Sequence, residues 1–214
     1  MPRRRIILAS GEYYHIFNKT LLPQNIFFNK RNNDYFIAAS DYYRHLNVPV
    51  QFAKYNENKK AYSINGLKLV VSIYAYALMP NHFHFLLKQH EDNGIRTFIQ
   101  RLSNSYAHFY NLKYSRKGAL FQGPFKSVRI ESEEQLLHVV RYIDLNATTS
   151  YLVEDPADFI YSSYRTHIGL FDMSWIEKRF ILDHFGSFNK YKKFVLDNKD
   201  YQRSLKKIDL SIIE

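Results

Sequence analysis

The sequence predicts an α+β protein: an antiparallel sheet with helices packed on one side. Three observations lead there. Residues 67–78 and 82–88 are rich in Val, Ile, Leu and aromatic residues and flank Met79-Pro80-Asn81, which reads as a hairpin turn. Ile95, Phe98, Ile99, Leu102, Tyr106, Phe109 and Tyr110 keep one face of a long helix. Ser132-Glu133-Glu134-Gln135 is a capping box that opens another helix.

The elements follow in order along the chain. Glu12 to Thr20 reads as the first strand. Asn32 or Asn33 suits the cap of a helix carrying Phe36, Ala39, Tyr43 and Leu46. That helix should stop near Val48-Pro49, because the residue before proline leaves the helical region. Asn65-Gly66 marks a tight turn, and the long apolar run after it predicts a central strand. Asp92 or Asn93 opens the long helix. Residues 113–126 are basic, aromatic and broken by glycine, which fits both a loop or short strand that touches a nucleic acid backbone and a plain solvated connection. The capped helix then puts Leu136, Val139, Val140 and Ile143 on its apolar side, with His138, Tyr142 and Asn146 at i, i+4 spacing on the other. Two short helices are expected around 175–184 and 188–196.

Composition narrows the function. Over 214 residues the formal net charge is +10, with 18 Tyr and 17 Phe. A basic chain this rich in aromatics suits a polyanionic partner with unpaired bases to stack on. There is no cysteine, which removes disulfides and thiolate metal sites and fits a reducing, cytoplasmic setting. No stretch approaches the ~20 apolar residues of a membrane span, so no membrane partner is expected. Arg3, Arg4 and Arg5 precede an apolar run too short for a signal peptide, and read better as an arm for phosphates.

The chemistry is most legible at His82-Phe83-His84. In a strand, side chains alternate faces, so both imidazoles point one way and the phenylalanines Phe83 and Phe85 the other. Adjacent imidazoles on a sheet are a natural pair of metal ligands. If the capped helix lies over that face, Asn146 brings an amide oxygen and Tyr142 a phenol. The phenol could attack a phosphodiester that the metal polarises. His138 is either a proton shuttle or a hydrogen-bonded structural histidine.

These stretches together resemble the single-tyrosine HUH transposases, specifically the REP-associated tyrosine transposases and other IS200-like relatives. Tyr14-His15-Ile16-Phe17-Asn18-Lys19-Thr20 is similar to the family's first strand, and Tyr76 to His84 to its HUH strand. Asn111 followed by Arg116-Lys117-Gly118-Ala119-Leu120-Phe121-Gln122-Gly123 is similar to its basic segment. Arg141-Tyr142-Ile143-Asp144-Leu145-Asn146 looks like its nucleophile helix, and Tyr161-Ser162-Ser163-Tyr164 like its Trp-Ser-Ser-Tyr block.

The resemblance implies an RRM-like (ferredoxin-like) fold, with residues 1–165 as the catalytic domain and 166–214 as a C-terminal helical extension. It implies Tyr142 as nucleophile, and His82, His84 and Asn146 as ligands of Mg²⁺ or Mn²⁺. The substrate would be single-stranded DNA near a hairpin, nicked and rejoined through a 5′-phosphotyrosine. Arg3, Arg4, Arg5, Arg116, Lys117, Gln122, Lys126 and Arg129 are the expected DNA contacts. Both a homodimer that exchanges the tyrosine helix and a self-sufficient monomer fit the resemblance, as does a cytoplasmic, nucleoid-associated location. Two departures stand out: Ala147 where the family has proline after the asparagine, and Pro124 where it has arginine. They motivate an alternative, a domesticated hairpin-binding protein without productive transposition. A replication initiator or relaxase would share the histidines but more often carries further domains.

Overall fold

The computed structural model describes residues 7–21 and 25–204. Arg3, Arg4 and Arg5 lie outside the described residues. The chain builds β1 (Tyr13–Lys19), α1 (Lys30–Tyr43), α2 (Phe52–Glu57), β2 (Val71–Met79), β3 (His82–Gln89), α3 (Gly94–Lys113) and β4 (Lys126–Ile130). It continues with α4 (Glu133–Asp144), α5 (Asn146–Thr149), α6 (Tyr164–His167), α7 (Arg179–Phe185) and α8 (Phe188–Leu196). The four strands form one antiparallel sheet in the order β2-β3-β1-β4, the ferredoxin-like arrangement.

Strand alternation divides the core into two layers. Tyr14, Ile16, Phe83, Phe85 and Leu87 point to the face covered by α1 and α3, where Phe36, Phe98, Leu102 and Tyr106 complete a buried aromatic cluster. Ala75, Ala77 and Leu86 point to the opposite face and pack with Leu136, Val140 and Ile143 of α4 and with Ile181, Tyr191 and Val195 of α7 and α8. Helices therefore lie on both faces, not on one as the sequence predicts. The reason is that β2 and β3 bury nearly every residue, so each side of the sheet needs a cover.

The strand predicted as central, β2, is the sheet's edge. Its outer side is not left open: Tyr161 O accepts from Leu78 N, Ser163 N donates to Tyr76 O, and Glu177 N donates to Ile73 O. This covering permits an edge strand to be as apolar as a central one. Asn29, not Asn32 or Asn33, caps α1, its Oδ1 accepting from Asn32 N at 2.9 Å. Asn32 is buried one turn inside, where its amide donates to Ile26 O. The helix ends at Tyr43, short of Val48-Pro49. Ser132 caps α4 as expected, its Oγ accepting from Gln135 N at 3.1 Å, while the Gln135 side chain accepts from Glu131 N at 2.8 Å rather than from Ser132 N.

Phe85 touches Phe36, Tyr76, Phe83 and Phe98 and is 1% exposed. Phe85→Ala should cost about 3–5 kcal/mol, a large fraction of a domain's stability, and urea unfolding will measure it.

Candidate active site: a histidine face beneath a tyrosine helix

The two-residue turn Pro80-Asn81 sets the β2–β3 register, with Met79 opposite His82 and Ala77 opposite His84. On the other side of β3, Lys19 lies opposite His82 and Phe17 opposite His84. His82, His84, His15, Phe17 and Lys19 thus share one face, the α4 side of the sheet.

Each of the two predicted ligands has its Nδ1 engaged. His82 Nδ1 lies 2.7 Å from Asn81 Oδ1, which can only accept, so the proton sits on Nδ1 and the lone pair on Nε2. His84 Nδ1 lies 2.9 Å from His15 Nε2. Burial pushes the His15 pKa down to about 4, so His15 is neutral at pH 7. If this neutral His15 accepts at Nε2, the His84 proton sits on Nδ1 and the lone pair on Nε2. That is the tautomer a metal requires, and such outer partners also hold the ring's orientation.

Tyr142, on the last turn of α4, stands over these rings. Its ring meets His84 edge-on at 5.7 Å between centroids and His15 at 5.8 Å, and it is 40% exposed. It is both held and open to a polymer.

Asn146 does not continue α4. The helix ends at Asp144, Leu145 turns, and Asn146 begins α5. Thr148 Oγ1 and Thr149 Oγ1 each donate to Leu145 O at 2.8 Å. Threonines bonded back to a helical carbonyl bend the chain, so this pair secures the break where the family has proline. Asn146 is buried, and its Oδ1 has no hydrogen-bond partner among the described residues. A buried acceptor without a donor is costly, and a cation would satisfy it.

Imidazole nitrogens and an amide oxygen without a hydrogen-bond partner are donor types that a divalent ion of the Mn²⁺ or Mg²⁺ kind accepts. The described residues contain no group of three His, Cys, Asp or Glu suited to a metal.

Other predicted residues distribute unevenly. Lys126 lies on the histidine face, its Nζ 5.9 Å from the Phe17 ring centroid. Gln122 N donates to Lys19 O, and Thr20 bridges to Phe121, so the basic loop that includes the exposed Lys117 runs along the His82 end of the sheet. Arg116 is engaged within that loop, donating to Asn111 Oδ1 at 2.9 Å and to Ala119 O at 2.8 Å. Arg129 points to the opposite face and pairs with Glu12 at 3.1 Å. His138 is exposed, lies 3.3 Å from Arg141 Nη2 and packs on Phe194. An open cavity of about 1100 Å³, lined by Arg31, Tyr35, Phe109 and Lys113 among others, lies across the sheet and holds none of the predicted catalytic residues.

Sequence reasoning missed His15, Phe17 and Lys19. The signal was present: they alternate with Tyr14, Ile16 and Asn18 in a seven-residue strand, but nothing local tells which set faces the histidines. His15→Phe should weaken Mn²⁺ affinity by roughly 10- to 100-fold while keeping the fold, as measured by electron paramagnetic resonance of free Mn²⁺.

Fold and site together describe a sheet that sets two imidazoles against a helix-borne tyrosine. Residues 53–146, which run from the second residue of α2 to the first residue of α5, match the family described as Transposase IS200 like. That match bears out the resemblance drawn from the motifs, and transposases are DNA-processing enzymes. Among solved structures, the chain is similar to a REP-associated tyrosine transposase bound to a REP hairpin. The identity is 14%, the TM-score 0.57, and the match covers 83% of this chain and 98% of that one. At that identity the likeness speaks for the fold, and it agrees with the ferredoxin-like sheet. A candidate transposase from Deinococcus radiodurans R1 also matches, at 15% identity and a TM-score of 0.37 over 67% of this chain and 96% of that one. No curated protein matches. Among the described residues, no helix is long and apolar enough to cross a membrane.

Proposed function

We propose that the protein is a metal-dependent, single-stranded DNA transposase and endonuclease that nicks and rejoins DNA beside hairpins. The observation that carries this reading is the packing of Tyr142 against His84 and His15, on the face that also bears His82. His82, His84 and Asn146 would hold Mg²⁺ or Mn²⁺, which when bound draws charge from the oxygens of the scissile phosphate.

In this reading the Tyr142 oxygen attacks phosphorus and loses its proton. The bond from phosphorus to the 3′ oxygen breaks, and that oxygen leaves as a 3′-hydroxyl. The 5′ end stays on the protein as a phosphotyrosine. Attack by another 3′-hydroxyl reverses the step, restoring a phosphodiester and the free phenol, so the bond energy is kept for strand transfer. Lys19 and Lys126, on the same face, suit contact with the flanking phosphates, and Phe17 between them suits stacking on a base. Residues 1–165 form the catalytic domain in this reading. Residues 166–214 are an extension, whose described helices share the α4-side core.

Hairpin binding and nicking are tested with end-labelled single strands from the gene's flanks. Binding should weaken steeply with salt, each phosphate contact adding roughly 0.7 to the log–log slope on single strands. A flat salt response, or nicking that is equal on hairpin-free strands, would contradict the proposal.

A further inference from the structure

We propose that Asp144 is a positioning residue for Tyr142 and Asn146, and that Tyr191 of α8 acts on the active site through it. Asp144 lies two residues after Tyr142 and two before Asn146, yet it faces the interior at 1% exposure. Its carboxylate lies against three side chains from two segments, the start and end of α6 and the middle of α8. Tyr191 OH donates to Oδ2 at 2.6 Å, His167 Nδ1 lies 2.7 Å from the same oxygen, and Ser163 Oγ donates to Oδ1 at 3.0 Å. All three partners are fully buried. A buried carboxylate without such donors would be strongly unfavourable, so the cage fixes where the end of α4 sits.

Each partner is itself anchored. His167 Nε2 donates to Tyr74 O at 2.9 Å. Tyr74 is the bulged residue of β2, skipped where Ile73 pairs with Leu87 and Ala75 with Leu86. The bulge frees that carbonyl from the ladder. Ser163 Oγ accepts from Tyr76 N at 3.0 Å. Two of the three donors to Asp144 are thus tied to β2, which pairs in register with the strand that bears His82 and His84. The third, Tyr191, ties it to α8.

The extension also reaches the backbone on both sides of Asp144. Gln202 Nε2 donates to Tyr142 O at 3.2 Å, and Arg203 Nε donates to Thr148 O at 3.0 Å. Leu145, next to Asp144, is the turn between the helix that carries Tyr142 and the one that carries Asn146. A shift of Asp144 therefore moves both groups relative to the histidines, and misplacement by about 1 Å can cost on the order of 10²-fold in rate.

The test uses full-length Tyr191→Phe, which deletes one hydroxyl and keeps the ring, beside Ser163→Ala, which removes the donor on the other oxygen. The rate of covalent adduct formation at saturating hairpin DNA and Mn²⁺ should fall about tenfold or more, with hairpin Kd within about twofold of wild type. Amide hydrogen exchange at residues 143–149 should quicken selectively. A purely structural role would lower Tm and leave the saturating rate per folded molecule untouched. An unchanged rate, or unchanged exchange at 143–149, overturns the proposal. It rests on Tyr142 as nucleophile: if wild type forms no adduct, that reading fails, and the exchange measurement alone decides whether Asp144 positions the segment.

Discussion

His82→Ala should abolish metal-dependent cleavage while leaving most hairpin binding in place. In the proposed site the imidazole supplies one of three ligands, and its Nδ1–H is already committed to Asn81. Alanine removes the donor and leaves His84 and the Asn146 amide, too few to hold a labile divalent ion. Loss of Lewis-acid stabilisation of several kcal/mol corresponds to roughly 10²–10⁴-fold in cleavage rate. Binding should change little, because the cationic groups on that face, Lys19 and Lys126, remain. Chelation of wild type by EDTA should reproduce the variant, and Mn²⁺ should restore wild type but not His82→Ala. A variant that cleaves at the wild-type rate with added metal would remove His82 from the ligand set.

Tyr142→Phe should eliminate the covalent adduct and reduce strand transfer by on the order of 10⁴-fold or more, as loss of a nucleophile does. The ring stays, so the edge-on contacts with His84 and His15 persist and Tm should move little. Mn²⁺ affinity should hold as well, since the phenol is not one of the three proposed ligands. That combination, with metal and DNA bound and no chemistry, separates a nucleophile from a packing residue. Tyr106 and Tyr110 are poor substitutes. Both are buried among aromatics on the opposite face, and burial holds their phenols protonated.

The parts of the fold that the sequence reveals are those set by local patterning. His82 and His84 share a face because strand side chains alternate, and the cap at Ser132 fixes where α4 starts. The long helix α3 keeps its apolar stripe from Ile95 to Tyr110, as its spacing requires. What escapes is set by distant partners. β4 is short and charged and buries only Ile130, so no local pattern marks it until β1 pairs with it. β2 looks central because the segments covering its edge, around 161–163 and 176–177, come from far along the chain.

The site divides in the same way. Tyr142 and the histidines are legible because motif and period agree. His15 is not, because its role depends on β1 lying beside β3 in one register. Asn146 fits an i, i+4 stripe in the sequence, yet it reaches its position through a break at Leu145. Two threonine hydroxyls donate to the Leu145 carbonyl at that break. Asp144 reads as one more polar residue of a helix; only the folded chain brings Ser163, His167 and Tyr191 to it.

The most direct measurement is to identify the residue that becomes covalently joined to DNA. Hairpin-bearing single strands from the gene's flanks, incubated with Mn²⁺ and then denatured and digested, should yield one nucleotide-linked peptide, carrying a 5′-phosphate on Tyr142. A linkage at any other residue, or cleavage with no linked peptide at all, would contradict the proposed tyrosine chemistry.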